Sequence, residues 1–529
     1  MKNRIKIALV GLLLSVVAVS ATAQNKTSYF MESSTYRYDM NPALTPTRGY
    51  IKLPGFSMFS LDFTNDLLAI DRLLYNKNGQ TVTALHKDVS TEEFLSKFKK
   101  NNSIGVDFNL PLLGFADYGK HYFWSFDLGV RALVNVNVPK DVLRLVKSLG
   151  SDVTMDNIRL DVNAYTQASL GFAFPLGDYV MFGFKVKGLL GLAHATANID
   201  NLRLNFGEDA VTATGHAKAD ISVPGLSFPG LGKPGDQVKV DLGIGTRSED
   251  EESEGPEGDD EVLDLNHLIS TSYDNIPALV KQVRNGGVAL DLGVEANLLD
   301  DHLHLSAAVV DLGYIWWNKN SAVSVETNEV YGRWEGANLS EALSNDDFDV
   351  VQEVHHNLNE LAVTNRSGGS IVTRLPTQLN VGAEYGFAKN KISVGLLSHT
   401  KFYESHTYSE LTASLNLRAG KAFSASFSYS FLNSGLSMLG FALNLHPKGF
   451  NLFIGTDYIP LKYARIPLDP SMTEDLPFKL SSLSMPANNM CLSFYAGISF
   501  SLHESHFGKT NKEVRVERKA ARKAAKADK

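Results

Sequence analysis

Several charged residues occur at positions that suit a buried ionic network better than an active site. Each lies singly in a segment where large apolar residues alternate with small polar ones, and each takes a polar position. Successive side chains of a strand point to opposite faces, so these charges would share one face with serine, glycine and asparagine. They could pair across an enclosed interior and hold an inserted segment, which we favour, or they could set the selectivity of a pore. The candidates are Asp127, Arg131, Lys185, Asp291, Glu295, Glu384 and Arg418.

The motifs of catalysis, phosphate binding and metal binding are not found in the sequence. It contains no G-x-S-x-G, H-E-x-x-H or P-loop, and its single cysteine, Cys491, can form no intramolecular disulfide. His503 and His506 lack zinc-protease spacing, and ten acidic residues within 249–264 lack the regular spacing of a calcium loop. We therefore expect no enzymatic activity, no cofactor and no bound metal.

Residues 422–431 show the alternation most clearly. Phe423, Phe427 and Phe431 fall on one parity, whereas four serines fall on the other. A soluble β-sandwich would bury the aromatic face, and a transmembrane barrel would turn it towards lipid. The small polar residues of the second face suit a crowded lumen, and about ten residues is the length of a tilted membrane-spanning strand. The pattern alone does not decide between the two architectures.

The N-terminus favours the barrel. Lys2, Arg4 and Lys6 precede a short apolar run, and Ala21-Thr22-Ala23 has the form of a signal-peptidase site. Residues 1–23 are thus predicted to be a cleavable secretory signal, with a single membrane helix as the alternative. No later apolar run is long enough to span a membrane as a helix. A mature chain that enters a membrane must therefore do so as a closed barrel.

The fold class predicted from these patterns is all-β: an antiparallel, up-and-down transmembrane β-barrel of about 14 strands, with short helices in its loops. We expect a plug-like segment at 24–103, the barrel at 104–507 with loop insertions at 223–286 and 332–376, and a basic tail at 508–529. The net charge of −8 argues against nucleic-acid binding. Trp316 and Trp317 suit a membrane interface, although a core or loop would also accommodate them.

With a signal peptide, this strand pattern and Asn41-Pro42-Ala43 early in the mature chain, the sequence resembles an uncharacterised family of outer-membrane barrels from Bacteroidetes-type bacteria. It is distantly similar to the long-chain fatty-acid outer-membrane transporters and to the barrel proteins of type IX secretion. The resemblance implies residence in outer-membrane lipid and an N-terminal segment that plugs the lumen. No ligand-contacting residue of the transporters can be matched in this chain.

Two functions remain open from the sequence. The first is a barrel that passes or binds a small hydrophobic or amphipathic molecule, and the second is a secretion- or surface-assembly barrel whose loops bind a protein. Apolar residues between Tyr50 and Phe98 favour the first, because they exceed what a plug in an aqueous pore needs. They predict an apolar pocket between plug and wall, unless they pack only on one another. They are Leu67, Leu68, Ile70, Leu73, Leu74, Phe94 and Phe98.

Overall fold

The computed structural model describes residues 26–56, 59–78, 80–148, 152–206, 210–222, 237–241, 262–264, 285–318, 322–326, 330–335, 364–367, 371–419, 422–432, 437–467, 482–487 and 491–502. Strands dominate these residues. The first half of the chain contains β1 (Tyr50–Lys52), β2 (Phe59–Asn65), β3 (Leu74–Lys77), β4 (Gln80–Thr83), β5 (Asn101–Tyr118), β6 (Phe123–Pro139), β7 (Val153–Met155), β8 (Ile158–Leu176), β9 (Val180–Phe206), β10 (Ala210–Ser222), β11 (Gln237–Asp241) and β12 (Val262–Asp264).

The second half contributes fifteen further strands. They are β13 (Gly286–Leu298), β14 (Leu303–Trp317), β15 (Ala322–Glu326), β16 (Val330–Glu335), β17 (Thr364–Ser367), β18 (Ile371–Arg374), β19 (Thr377–Phe387), β20 (Ile392–Phe402), β21 (Thr407–Ala419), β22 (Phe423–Leu432), β23 (Ser437–Leu445), β24 (Phe450–Pro460), β25 (Tyr463–Pro467), β26 (Ser482–Pro486) and β27 (Leu492–Ser501).

Helices are few and short among the described residues. They comprise a 3-10 turn (Lys26–Ser28), α1 (Arg37–Met40), α2 (Ile70–Leu73), α3 (Thr91–Ser96) and α4 (Lys140–Lys147). None of them is both long enough and apolar enough to cross a membrane.

The main sheet closes into a barrel of fourteen antiparallel strands. The order runs from β5 through β6, β8, β9, β13, β14, β19, β20, β21, β22, β23 and β24 to β27. β1 and β2 together form the remaining wall strand, because each pairs with β27 on one side and β5 on the other. Closure leaves the wall without an unpaired sheet edge. The predicted fold class is therefore confirmed.

The apolar parity of the wall strands faces outwards. Phe427 is 49% exposed on the outer surface, whereas its neighbour on the other parity, Ser426, is 0% exposed. The same division separates outward Leu411 and Leu415 from inward Thr412 and Asn416 on the adjacent strand. The outer surface is thus an apolar band and the interior is polar, as a membrane-spanning barrel requires.

The two ends of the barrel differ in their connections. At one end, which we name the short-turn end, six turns of three or four residues join successive strands, as between β5 and β6 or β13 and β14. At the other, the long-loop end, β9 continues past the wall and pairs with β10, which in turn pairs with β15 and β16. Trp316 faces outwards near this end, but Trp317 faces inwards and stacks on His194, so only one indole occupies an exposed position.

The start of the wall differs from our expectation. We placed the plug at 24–103 and the barrel from 104, yet the wall begins at Tyr50, because β1 and β2 hydrogen-bond to strands on both sides. The inserted part is therefore Lys26–Gly49, which we name the N-terminal segment. The predicted signal at 1–23, the tail at 508–529 and most of the insertions at 223–286 and 332–376 lie outside the described residues.

Candidate functional site

The N-terminal segment runs through the barrel lumen from one end towards the other. Near its C-terminal end, Arg48 donates a hydrogen bond to the carbonyl of Pro447, in a turn of the short-turn end (2.9 Å). Lys26 reaches wall residues in the half nearer the long loops, where its backbone N–H donates to Asp457 (2.9 Å). Between them the segment is buried against the inner wall. It therefore occupies the space through which any solute would have to pass.

Hydroxyl and amide side chains of the wall hold the segment from Thr27 to Met40. Thr27 Oγ1 lies 2.7 Å from Ser428 Oγ, and Ser33 Oγ lies 3.0 Å from Ser424 Oγ. Asn380 donates to the carbonyl of Met40 (2.8 Å). Two of the serines that alternate with phenylalanine in β22, Ser424 and Ser428, thus bond to the segment. Small polar wall residues let the chain approach closely and satisfy its polar groups.

The Asn41-Pro42-Ala43 motif fastens the segment to the wall. Asn41 Oδ1 accepts the backbone N–H of Ala43 (2.9 Å), and its Nδ2 donates to the wall carbonyls of Val294 and Ala307 (both 3.4 Å). Gly293 lies beneath the Asn41 side chain, and a Cβ there would overlap Asn41 Oδ1. The motif therefore needs a wall glycine opposite it.

Three of the predicted charges pair with the segment. Lys185 Nζ lies 2.7 Å from Asp39, and Glu295 lies 3.7 Å from Arg37. Arg418 bridges segment and wall, at 3.2 Å from Glu32. Arg37 and Glu295 are both largely buried, and removing one member of a buried pair leaves an uncompensated charge, which costs about 3–5 kcal/mol. These pairs fix the position of the segment as well as adding to its contacts.

The other predicted charges pair within the wall. Asp127 meets Lys52 at 3.1 Å, Arg131 meets Asp311 at 2.6 Å, Asp291 meets Lys187 at 2.7 Å, and Glu384 meets Arg418 at 2.6 Å. All seven candidates thus lie on the inner face in ion pairs.

Several members of this network were not among the predicted charges. Asp311 accepts from both Arg131 and Lys187, and Lys401 pairs with Asp107 at 2.5 Å. Asp311 was missed because the register of β13 and β14 shifts beside it and its φ is 60°, which breaks the parity that identified the others. Asp107 lies in β5, where it shares the polar parity of Gly105 and Asn109 and could have been identified by it. The parity of β20 would have identified Lys401.

Lys26 is held by one acidic and two aromatic side chains of the wall. Its ammonium pairs with Glu410 and contacts the hydroxyl of Tyr458, and it lies 4.6 Å from the ring centroid of Tyr458 and 5.6 Å from that of Tyr408. Both tyrosine hydroxyls donate to Glu410 (2.9 and 2.8 Å). A carboxylate with tyrosine rings is a typical environment for an ammonium ion. We name Glu410, Tyr408 and Tyr458 the lysine cage.

Three cavities follow one another along the wall beside the segment. The first, which we name the vestibule, lies at the long-loop end and measures about 310 Å³. The second, the inner cavity, measures about 20 Å³ and shares Thr64, Ser103, His406 and Tyr408 with the vestibule. The third, the central cavity, measures about 70 Å³ and shares Asp107 with the second. They form an interrupted route from the long-loop end to the middle of the lumen.

The lining of this route is polar and charged. Lys26, Lys401 and Asp107 surround the inner cavity, and Asp39 and Lys185 reach the central one. The expected apolar pocket between plug and wall does not appear among these cavities. Within the described residues no group of three or more His, Cys, Asp or Glu is placed to hold a metal ion.

The apolar residues between Leu67 and Phe98 pack on one another outside the lumen. They follow β2 at the long-loop end, where Phe94 and Phe98 join a buried cluster with Tyr75. Leu67 packs against the same cluster, and Ile70 packs with Phe63 beside it. These apolar residues therefore pack on one another, which is the alternative that the sequence left open. They do so because β1 and β2 carry the chain out of the lumen.

The sequence matches a family model described as "Family of unknown function (DUF5723)" over residues 42–457. No curated protein matches it significantly. Similar solved structures include the Pseudomonas putida toluene transporter TodX (10% identity, 89% of this chain and 95% of that chain, TM-score 0.35). A Pseudomonas aeruginosa FadL homologue (9%, 92% and 99%, 0.36) and the translocator domain of autotransporter NalP from Neisseria meningitidis (7%, 91% and 98%, 0.28) are others.

Proposed function

The chain belongs to the DUF5723 family of unknown function, and we propose that it is an outer-membrane barrel that binds or passes a small hydrophobic or amphipathic molecule, with the N-terminal segment as its gate. The observation that carries this proposal is the succession of cavities beside the segment. The vestibule and the inner cavity share four lining residues, and the inner and central cavities share Asp107. A solute entering at the long-loop end would meet the segment at Lys26 in the inner cavity and at Asp39 and Met40 in the central cavity.

The chemistry of the lining favours an amphipathic molecule over a bare hydrocarbon. Charged side chains and hydroxyls line the inner and central cavities, and a hydrocarbon there would leave these groups without water or partners. The vestibule also contains Leu432 and Cys491, which offer apolar contact beside Lys99 and Lys100. A molecule with a polar head and a short apolar part matches both regions.

Movement of the segment is the step that must precede passage. Its contacts with the wall include hydrogen bonds and ion pairs, which can be exchanged for contacts with a polar solute or water. They also include aromatic packing, such as Tyr36 on Phe453, which must be released when the segment moves. A route that widens only when the segment shifts would keep the membrane sealed at rest. Whether the segment must move for a solute to pass is therefore the first property to test.

An engineered disulfide tests the gate directly. Thr27→Cys with Ser428→Cys joins segment to wall where the hydroxyl oxygens are 2.7 Å apart. The matched control, Thr412→Cys with Ser430→Cys, joins two wall strands where the oxygens are 2.8 Å apart. Each purified protein is placed in liposomes, and entry of a small amphipathic solute is measured before and after reduction. Buried Cys491 stays unchanged in both.

We expect oxidation to suppress solute entry in the segment-to-wall variant, reduction to restore it, and neither treatment to affect the control. Equal entry through the locked and unlocked protein would refute the gate. No entry through any variant, with all of them folded, would refute passage and favour the alternative of a barrel that binds protein through its loops.

A further inference from the structure

We propose that the inner cavity binds the ammonium group of a small amphipathic amine, with Asp62 as its charged partner, while the rest of the molecule lies in the vestibule. This inference names the ligand class of the proposed function and rests on that function for its route of entry. It is carried by acceptor atoms in the cavity that have no hydrogen-bond partner.

Two buried acceptors of the inner cavity have no partner in the described structure. Asp62, in β2, is 4% exposed, and its Oδ1 receives no hydrogen bond. Asn135, in β6, is also 4% exposed, and its Oδ1 is likewise without a donor. Both residues line the same cavity. A buried acceptor without a donor is unfavourable, so the cavity suits a ligand that brings one.

A cationic donor suits Asp62 better than a neutral one, because the carboxylate form of so buried a side chain needs a positive charge beside it. Of the nearby carboxylates, Glu410 already pairs with Lys26. Asp457 accepts the backbone N–H groups of Lys26 and Thr27, both at 2.9 Å. Asp62 forms no ion pair within the part of the chain that the structure describes. A neutral hydroxyl would satisfy Asn135, but an ammonium satisfies both oxygens and offsets the carboxylate.

The aromatic lining supports the same conclusion. Tyr403, Tyr408 and Tyr458 contribute to the inner cavity, and tyrosine rings attract an ammonium ion through their faces. Tyr408 and Tyr458 already do so for Lys26, whose ammonium they share with Glu410. The lysine cage therefore shows how this protein holds an ammonium group beside the cavity that Asp62 and Asn135 line.

Size restricts the ligand to a primary amine or one similarly small. Gly105 lies between Thr64 and Asn135 and leaves the space open, because a Cβ there would lie 2.7 Å from Thr64 Oγ1. The resulting volume of about 20 Å³ holds a group the size of one water molecule, which suits –NH₃⁺. A quaternary ammonium is too large and has no N–H to donate. The remainder of the ligand has about 310 Å³ in the vestibule.

The vestibule continues the row of acceptors outwards. Asn137 follows Asn135 on the same face of β6, lines the vestibule, and leaves its Oδ1 without a donor. An amine passing inwards would meet the oxygens of Asn137, Asn135 and Asp62 in turn. This order gives a polar head a series of acceptors along the wall.

Calorimetry on the detergent-solubilised full mature chain tests the site, with n-butylammonium chloride as probe at pH 7. We expect n-butylammonium to bind at least tenfold more tightly than n-butanol, which lacks the charge, and than tetramethylammonium, which lacks donors. Asp62→Asn keeps the shape of the side chain and should weaken n-butylammonium binding at least tenfold. Asp300→Asn, in an exposed left-handed turn at the short-turn end, is the matched control and should bind as the wild type does.

Equal affinities for n-butylammonium and n-butanol would overturn the inference, as would binding that Asp62→Asn leaves unchanged. If Asp62→Asn does not fold, the three probes on the unaltered chain still decide the matter. Liposome entry separates this result from the proposed function. Solute entry without preference for the amine refutes the ammonium site alone, whereas amine binding without entry supports the site and refutes passage.

Discussion

At the residue scale, Gly293 is the wall position on which the Asn41-Pro42-Ala43 motif depends most directly. A Cβ added at Gly293 would overlap Asn41 Oδ1 and approach Pro42. We expect Gly293→Ala to destabilise the docked segment by about 1–3 kcal/mol, the cost of inserting a methyl group into a filled space. Increased solute entry into liposomes and faster proteolysis of the segment would measure the effect.

Gly286→Ala serves as the control for this substitution. Gly286 lies in the same strand, but a Cβ there would meet no atom within 4 Å. Any general effect of alanine in β13 should appear in both variants. Wild-type behaviour of Gly293→Ala would contradict the close docking of the motif.

Phe427 and Ser428 test which face of the wall meets lipid. Phe427→Arg places a charge on the outer surface and should cost about 2–4 kcal/mol near the membrane midplane. Ser428→Arg instead places a charge on the inner face. Because Ser428 contacts Thr27, we expect that change to displace the segment while the barrel still assembles. Gel mobility reports assembly and solute entry reports the gate, so a reversed pattern would mean that the faces are exchanged.

At the scale of elements, strands with strict alternation could be predicted and irregular ones could not. The alternating stretch 422–431 corresponds to the strand Phe423–Leu432. Ser90 caps the first turn of α3, since its Oγ accepts the N–H of Glu93 (3.1 Å). Residues 61–75 have helical spacing, yet β2 occupies 59–65 and α2 only 70–73. Pairing with two neighbouring strands outweighs local spacing there, and such pairing is not visible in one segment alone.

The turn between β20 and β21 should respond to acid. His406 stacks on Tyr403 with ring centroids 4.8 Å apart, and burial lowers the pKa of His406 to about 4. Because the unfolded histidine titrates near 6.5, the turn should keep its full stability above that pH. It should lose stability as pH falls from about 6.5 towards 4, where the unfolded form binds the extra proton.

Amide hydrogen exchange at Ser405 and Thr407 would measure this loss, after correction for the intrinsic pH dependence of exchange. His406→Gln, which cannot titrate, should show no such dependence. The same acid response in both proteins would assign it to another group.

At the scale of the whole molecule, the seven charge candidates could be found from parity because the barrel has only two faces. Their partners could not, since Asp311 pairs with Arg131 180 positions earlier in the chain. The bounds of the plug were also beyond the sequence, because Lys26–Gly49 mixes aromatic residues such as Tyr29 and Phe30 with polar ones in no regular period. The segment is recognised as a plug because the wall encloses it, and the wall encloses it only because the sheet is closed.

The acidic stretch Glu249–Glu261 lies outside the described residues and gives a prediction from sequence alone. It has many like charges and no apolar periodicity, so it should contribute little buried surface. Deleting it should leave assembly of the barrel intact, measured by the shift in gel mobility on boiling. Loss of the compact unboiled form would show that the stretch is needed for folding.

The outer surface of the barrel determines which environment the folded protein requires. Leucine, valine and phenylalanine are exposed around the wall, among them Phe431, Leu396 and Val381. A soluble protein rarely exposes so large an apolar area, whereas lipid stabilises it. We therefore expect the mature chain to fractionate with outer membranes, to require detergent for extraction and to run as a compact form on unboiled gels. Recovery of folded protein from the periplasm without detergent would contradict the lipid-facing assignment, because the apolar band would then have to be covered by protein.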